Sequence, residues 1–80
     1  MQVSLNGVLR SGAGGAASIE VEAATIRELM NRIAEAYPDM AEHFERGIAV
    51  AINGTVYRDD WTQPIPPDAE VFLMPRIQGG

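Results

Sequence analysis

Ile48-Ala49-Val50-Ala51-Ile52-Asn53-Gly54-Thr55-Val56-Tyr57 decides the architecture, because these residues contain a whole β-hairpin. Ile48 to Ile52 is apolar at every position and short, which suits a strand buried on both faces better than a helix. Asn53-Gly54 is the strongest short hairpin signal, since both residues tolerate positive φ. Thr55-Val56-Tyr57 is therefore predicted to return beside the first strand.

Working toward the N-terminus, Thr25-Ile26-Arg27-Glu28 has the form of a capping box. The Thr25 hydroxyl can accept from the Glu28 amide while the Glu28 carboxylate reaches back to the Thr25 amide. A helix follows, with Ile26, Leu29, Met30, Ile33, Ala34 and Tyr37 on one face and Arg27, Glu28, Asn31, Arg32 and Glu35 opposite. Pro38 stops it. Asp39-Met40-Ala41-Glu42 repeats the cap pattern and predicts a short second helical turn closed by Gly47. Further back, Gln2 to Leu9 reads as a strand with Val3, Leu5 and Leu9 on one face. The glycine-rich run Arg10 to Ala16 breaks that strand. Ile19 and Val21, alternating with Ser18, Glu20 and Glu22, predict a half-exposed partner strand.

Toward the C-terminus, Arg58 to Asp68 holds three prolines and reads as an irregular connection. Glu70 to Met74 is a last strand, apolar on both faces. The order strand, strand, helix, strand, strand, strand places one amphipathic helix over a mixed sheet of about five strands, an α+β domain with the element order of the β-grasp fold. The expected division is a domain over residues 1–75 and a flexible tail over 76–80. With Pro75, that tail extends roughly 16 to 20 Å.

Composition narrows the function classes. A chain of 80 residues accommodates one core and no second lobe. The net charge of −5 opposes phosphate backbones, so nucleic acid is not an expected partner. Without cysteine there is no disulfide, thiolate metal site or thiol nucleophile. No apolar stretch approaches the roughly 20 residues that span a bilayer, and the cytoplasm is the expected compartment. All six basic side chains are arginine, which leaves the N-terminus as the only amine in the sequence.

The ending Gly79-Gly80 is the most informative feature, set against the bland alternative of a frayed terminus. A carboxylate that must be activated deep inside another enzyme needs a thread without side chains and an unhindered acyl carbon. Glycine meets both needs. In the last strand, alternation puts Val71 and Leu73 on one face and Phe72 and Met74 on the other. Phe72 and Met74 are a candidate docking patch if they face outward. Otherwise the Arg58–Pro67 connection, Trp61 included, covers them.

Three weaker signals take the bland reading. His43 among Asp39, Glu42 and Glu45 reads as a solvated helix face, and no metal site is expected. Asp59-Asp60 reads as a turn before it reads as paired catalytic carboxylates. Gly12-Ala13-Gly14-Gly15 lacks the following helix that a phosphate cradle requires.

Leu5 to Gly15, the capped helix from Thr25, Val50 to Gly54, Ile65 to Val71 and the ending Met74-Pro75-Arg76-Ile77-Gln78-Gly79-Gly80 together resemble the MoaD/ThiS family of ubiquitin-like sulfur carriers. The resemblance covers nearly the whole chain in order. It implies a carrier that catalyses nothing alone and binds no cofactor. A ubiquitin-activating-type enzyme would spend ATP to adenylate the Gly80 carboxylate, and a sulfur donor would convert it to a thiocarboxylate. Gly79 would let the thread enter, and Arg76, Ile77 and Gln78 would line the partner's channel. The long first hairpin is similar to small subunits of molybdopterin synthase, which implies that enzyme's large subunit as sulfur acceptor. Leu9-Arg10 followed by Gly14-Gly15 is similar to carriers that serve a cysteine synthase. Asp68-Ala69-Glu70 replaces the family's usual Gly-Asp-Glu, and Pro75 is followed by Arg76 where many molybdopterin synthase subunits have a second proline. The pathway thus stays open between molybdopterin, cysteine and thiamine-thiazole synthesis. A modifier joined to protein lysines and a β-grasp interaction module without activation remain as other classes.

Overall fold

A computed structural model describes residues 1–58 and 60–75. Asp59 and residues 76–80, the segment expected as a flexible tail, lie outside the described residues. Five strands form one mixed sheet: β1 (Gln2–Leu5), β2 (Ser18–Glu20), β3 (Ile48–Ile52), β4 (Thr55–Arg58) and β5 (Val71–Pro75). Their spatial order is β2-β1-β5-β3-β4. β1 and β5 run parallel at the centre, while β1–β2, β3–β4 and β3–β5 are antiparallel. The helices are α1 (Leu9–Gly12), α2 (Ile26–Ala36) and α3 (Met40–Arg46). This is the expected α+β, β-grasp-like arrangement.

The expected hairpin forms as read. Asn53 (φ +50°) and Gly54 (φ +88°) make the turn, and all five residues of β3 are buried. Two positive φ angles in succession match the twist of the strands they join, which is why Asn-Gly serves here. α2 begins at the Thr25 cap, whose hydroxyl accepts from the Glu28 amide at 3.2 Å. The reciprocal bond differs from expectation by one residue: the Glu28 carboxylate accepts from the Ala24 amide at 3.1 Å rather than from Thr25. Here Thr25 is extended and bridges Pro64, so the backbone at Ala24 is the one turned toward the first helical turn.

Ile26, Leu29, Met30 and Ile33 of α2 pack on Val3, Leu5, Ile19, Val50, Ile52, Val71 and Leu73 of the sheet. Burying each large aliphatic side chain contributes about 1.5 to 3 kcal/mol, so this two-layer contact dominates stability. No buried polar or charged side chain is found among the described residues. Tyr37 closes the far end of the helix, half-buried against the same core.

The N-terminal third departs from the sequence reading. Strand β1 stops at Leu5, and Leu9 enters the core from α1 rather than as a strand residue. Gly12, in the run expected to break the strand, is a buried helical residue whose Cα faces α3. A Cβ built there would stand 2.5 Å from Met40 Sδ and 3.2 Å from His43 Cδ2. Gly14 (φ +69°) and Gly15 (φ +89°) do make the turn, and the Gly15 amide closes it on the Arg10 carbonyl at 2.8 Å. β2 ends at Glu20 because its partner β1 begins at Gln2, although Met1 and Val21 still exchange two main-chain hydrogen bonds of 3.0 Å that continue the register. α3 forms without the predicted side-chain cap at Asp39. β5 is shifted one residue on, because the Glu70 amide is taken by the Asn53 side chain at 2.9 Å and pairing resumes at Val71.

Candidate functional site

The side of the sheet away from α2 is a site built by register. Across the ladders, Ser4, Phe72, Ala51 and Val56 stand in one row, and Met74, Ala49 and Arg58 in the next. Successive residues of a strand alternate in facing, so all of these share the face opposite Val71, Leu73 and Val50. Phe72 is 39% exposed and Val56 48%, Met74 is half-buried, and the small Ala49 and Ala51 are buried between them. The outcome is an apolar strip with two alanines as its floor and Phe72, Met74 and Val56 as its walls. It ends at Pro75, the last of the described residues.

The connection after β4 does not lie on this strip. The Ile26 amide donates to the Gln63 carbonyl (3.0 Å), the Arg27 amide to the Trp61 carbonyl (2.9 Å), and the Ile65 amide to the Ala24 carbonyl (2.8 Å). These bonds fix the connection along the entry to α2, and Ile65 is buried in the core on that side. Trp61 is itself 39% exposed. Phe72 is thus open to a partner, as alternation in β5 predicts.

The other side of the sheet at Pro75 carries a groove of about 470 Å³ lined by Val8, Leu9, His43, Glu45, Arg46, Gly47, Ile48 and Pro75. Sequence reasoning missed it, because it depends on α1, a helical turn with no signal of its own. His43 is half-buried at this groove and beside Gly12. Among the described residues, no three of His, Asp and Glu gather closely enough to hold a metal ion. Asp60 is exposed, while its sequence neighbour Asp59 lies outside the described residues. Gly79, Gly80, Arg76, Ile77 and Gln78 also lie outside them.

Perturbed ionisation is found at the other end of the sheet. The Met1 ammonium lies 2.6 Å from Glu22 Oε1 and 3.4 Å from Glu20 Oε2. Its pKa is raised above the ordinary 8.0, chiefly by the hydrogen bond to Glu22. The Glu22 carboxyl is lowered below its ordinary 4.5, chiefly by the same bond. This pair ties the start of β1 to the end of β2 and is remote from Phe72 and Pro75.

Residues 3–80 match the ThiS family. The chain belongs to the ThiS family. ThiS-like neighbours among solved structures share its fold. A chain in the Amycolatopsis orientalis BexX/CysO complex has a TM-score of 0.78 at 22% identity, covering 99% of this chain and 98% of that one. Mycobacterium tuberculosis CysO has a TM-score of 0.80 at 17% identity, covering 95% and 98%. Haloferax volcanii SAMP1 has a TM-score of 0.75 at 20% identity, covering 99% and 97%. A comparison with curated protein sequences gives no match. The ThiS-family match and these neighbours agree with a ubiquitin-like sulfur-carrier or modifier fold. No helix among the described residues is long and apolar enough to cross a membrane.

Proposed function

We propose that this chain is a cytoplasmic sulfur carrier whose Gly80 carboxylate is adenylated and converted to a thiocarboxylate. The observation that carries the proposal is the ThiS-family match, which extends through residue 80 and so takes in Gly79-Gly80. In the first step the Gly80 carboxylate attacks the α-phosphate of an ATP held by a ubiquitin-activating-type enzyme, and pyrophosphate leaves. A sulfide-level sulfur then adds to the acyl carbon, AMP departs, and the carbon–sulfur bond remains. The chain supplies the reactive acyl group. ATP, acids, bases and the sulfur donor belong to partners.

Docking is assigned to Phe72 and Met74 on the open strip, with Arg76, Ile77, Gln78 and Gly79 threading into the enzyme. Aromatic and Met side chains are enriched in the cores of protein interfaces, and a strip of this kind beside a functional terminus fits that use. The sulfur acceptor we assign is the large subunit of a molybdopterin synthase, on the length of the β1–β2 connection. Delivery to cysteine synthesis is a second reading, favoured by the likeness to two structures that contain CysO. The likeness to SAMP1, a small archaeal modifier protein, similarly keeps conjugation to lysines in view.

Intact mass after incubation with ATP, an adenylating enzyme and a sulfur source tests the proposal. The expected product is heavier by the difference between one sulfur and one oxygen atom. Adding either acceptor enzyme then identifies the pathway by which of them returns the chain to its starting mass. A chain left unaltered by adenylating enzymes that charge other ThiS-family carriers would refute it.

A further inference from the structure

The groove on the helix side of Pro75 lies where a tail-receiving enzyme must come. Its apolar part has Leu9 and Ile48 as floor, Pro75 as end and Val8, which is 53% exposed, as rim, while His43, Glu45, Arg46 and Gly47 of the α3 side line the rest. An apolar side chain left this open at a helix start gains nothing from the fold. The groove and the Phe72 strip lie on opposite sides of β5, and both terminate at Pro75. The sequence continues for five residues past Pro75, a reach of at most about 18 Å. An enzyme that takes residue 80 into a buried nucleotide site must therefore bring its channel mouth close against Pro75, covering the ground on both sides of the strand.

We infer that the groove formed by Val8, Leu9, Ile48 and Pro75 receives an apolar side chain from the channel rim of the adenylating enzyme. The root of the tail is then gripped from both faces of the sheet. This rests on the carrier reading and extends it, since that reading alone needs only the Phe72 strip. The groove's volume of about 470 Å³ exceeds what one large aliphatic or aromatic side chain occupies, and its walls are set by the contact of α1 with α3 at Gly12 and Met40. A charge introduced at Val8 would be desolvated on docking while costing the free chain little.

The test is steady-state adenylation of the 80-residue chain by the enzyme that charges it, comparing wild type, Val8→Glu and Val8→Leu, with thermal unfolding and sedimentation of each. Val8→Glu should raise KM for the carrier about tenfold with kcat and Tm unchanged, and Val8→Leu should stay near wild type. An unchanged KM for Val8→Glu overturns the inference. So does a lowered KM, which would mean that the chain's own residues 76–80 occupy the groove. A wild-type dimer that Val8→Glu makes monomeric assigns the groove to a second copy and also overturns it. Failure of the wild type to be charged by any adenylating enzyme sinks the carrier reading itself, and is seen before any variant is compared.

Discussion

Phe72 stands directly beside Ala51 across the β3–β5 ladder, and the small partner leaves its ring standing proud of the sheet. Val71 and Leu73, its neighbours in the strand, are almost completely buried. One strand thus separates residues that hold the fold from a large apolar side chain left exposed. Phe72→Ser should weaken binding to the adenylating enzyme by roughly 1 to 3 kcal/mol and leave the unfolding midpoint close to wild type. Calorimetric titration and a thermal melt on the same preparation measure both. A large loss of stability with unchanged affinity would contradict the assignment.

Gly12 is a packing glycine, although it occurs in a stretch that reads as a turn. Because its Cα faces the buried Met40, Gly12→Val should cost about 1 to 3 kcal/mol in urea unfolding through overpacking between α1 and α3. A substitution at Gly14, where an added Cβ would meet nothing, tests φ alone. Replacing Gly14 (φ +69°) by Ala should cost about 1 kcal/mol from the left-handed backbone. Equal, negligible losses at both sites would mean that the α1–α3 contact is slack.

The Met1–Glu22 pair gives stability a defined pH window. The ammonium's raised pKa stabilises the fold fully below its ordinary 8.0, and that contribution is lost as pH rises through the raised value. The carboxyl's lowered pKa stabilises above its ordinary 4.5, and that contribution is lost as pH falls through the lowered value. Glu22→Gln should therefore lower Tm most between about pH 5 and pH 8, with the difference from wild type shrinking on either side. Thermal melts of both proteins across pH would show this. A difference independent of pH would assign the effect to something other than the ion pair.

Much of the fold was legible because local and global signals agree. Asn53-Gly54 between two apolar runs favours a tight hairpin turn, and Thr25 with Glu28 marks a helix start that the spacing of Leu29 and Ile33 independently supports. The facing of Phe72 followed from strand alternation. The α1 turn was not legible: Leu9 to Gly12 is too short to carry a helical period, and Gly12 lowers its intrinsic propensity. It forms because Leu9 is buried and Gly12 admits Met40, contacts contributed by residues about thirty positions away in sequence. The groove beside Pro75 was hidden for the same reason, since two of its walls come from that turn and from α3. The placement of the connection against Ala24 to Arg27 likewise depends on backbone bonds that no side-chain pattern announces.

In the proposed mechanism the reactive group is the carboxylate of residue 80 and nothing within the folded domain. Three chains should be incubated with ATP, the adenylating enzyme and a sulfur source: wild type, a chain lacking Gly80, and a chain with one alanine added after it. Intact mass and thermal unfolding are then measured for all three. All should unfold at the same temperature, because the core found among the described residues uses none beyond Leu73, and only the wild type should gain the mass of a thiocarboxylate. A thiocarboxylate formed equally well on the alanine-extended chain would contradict the assignment of the terminal carboxylate as the active group.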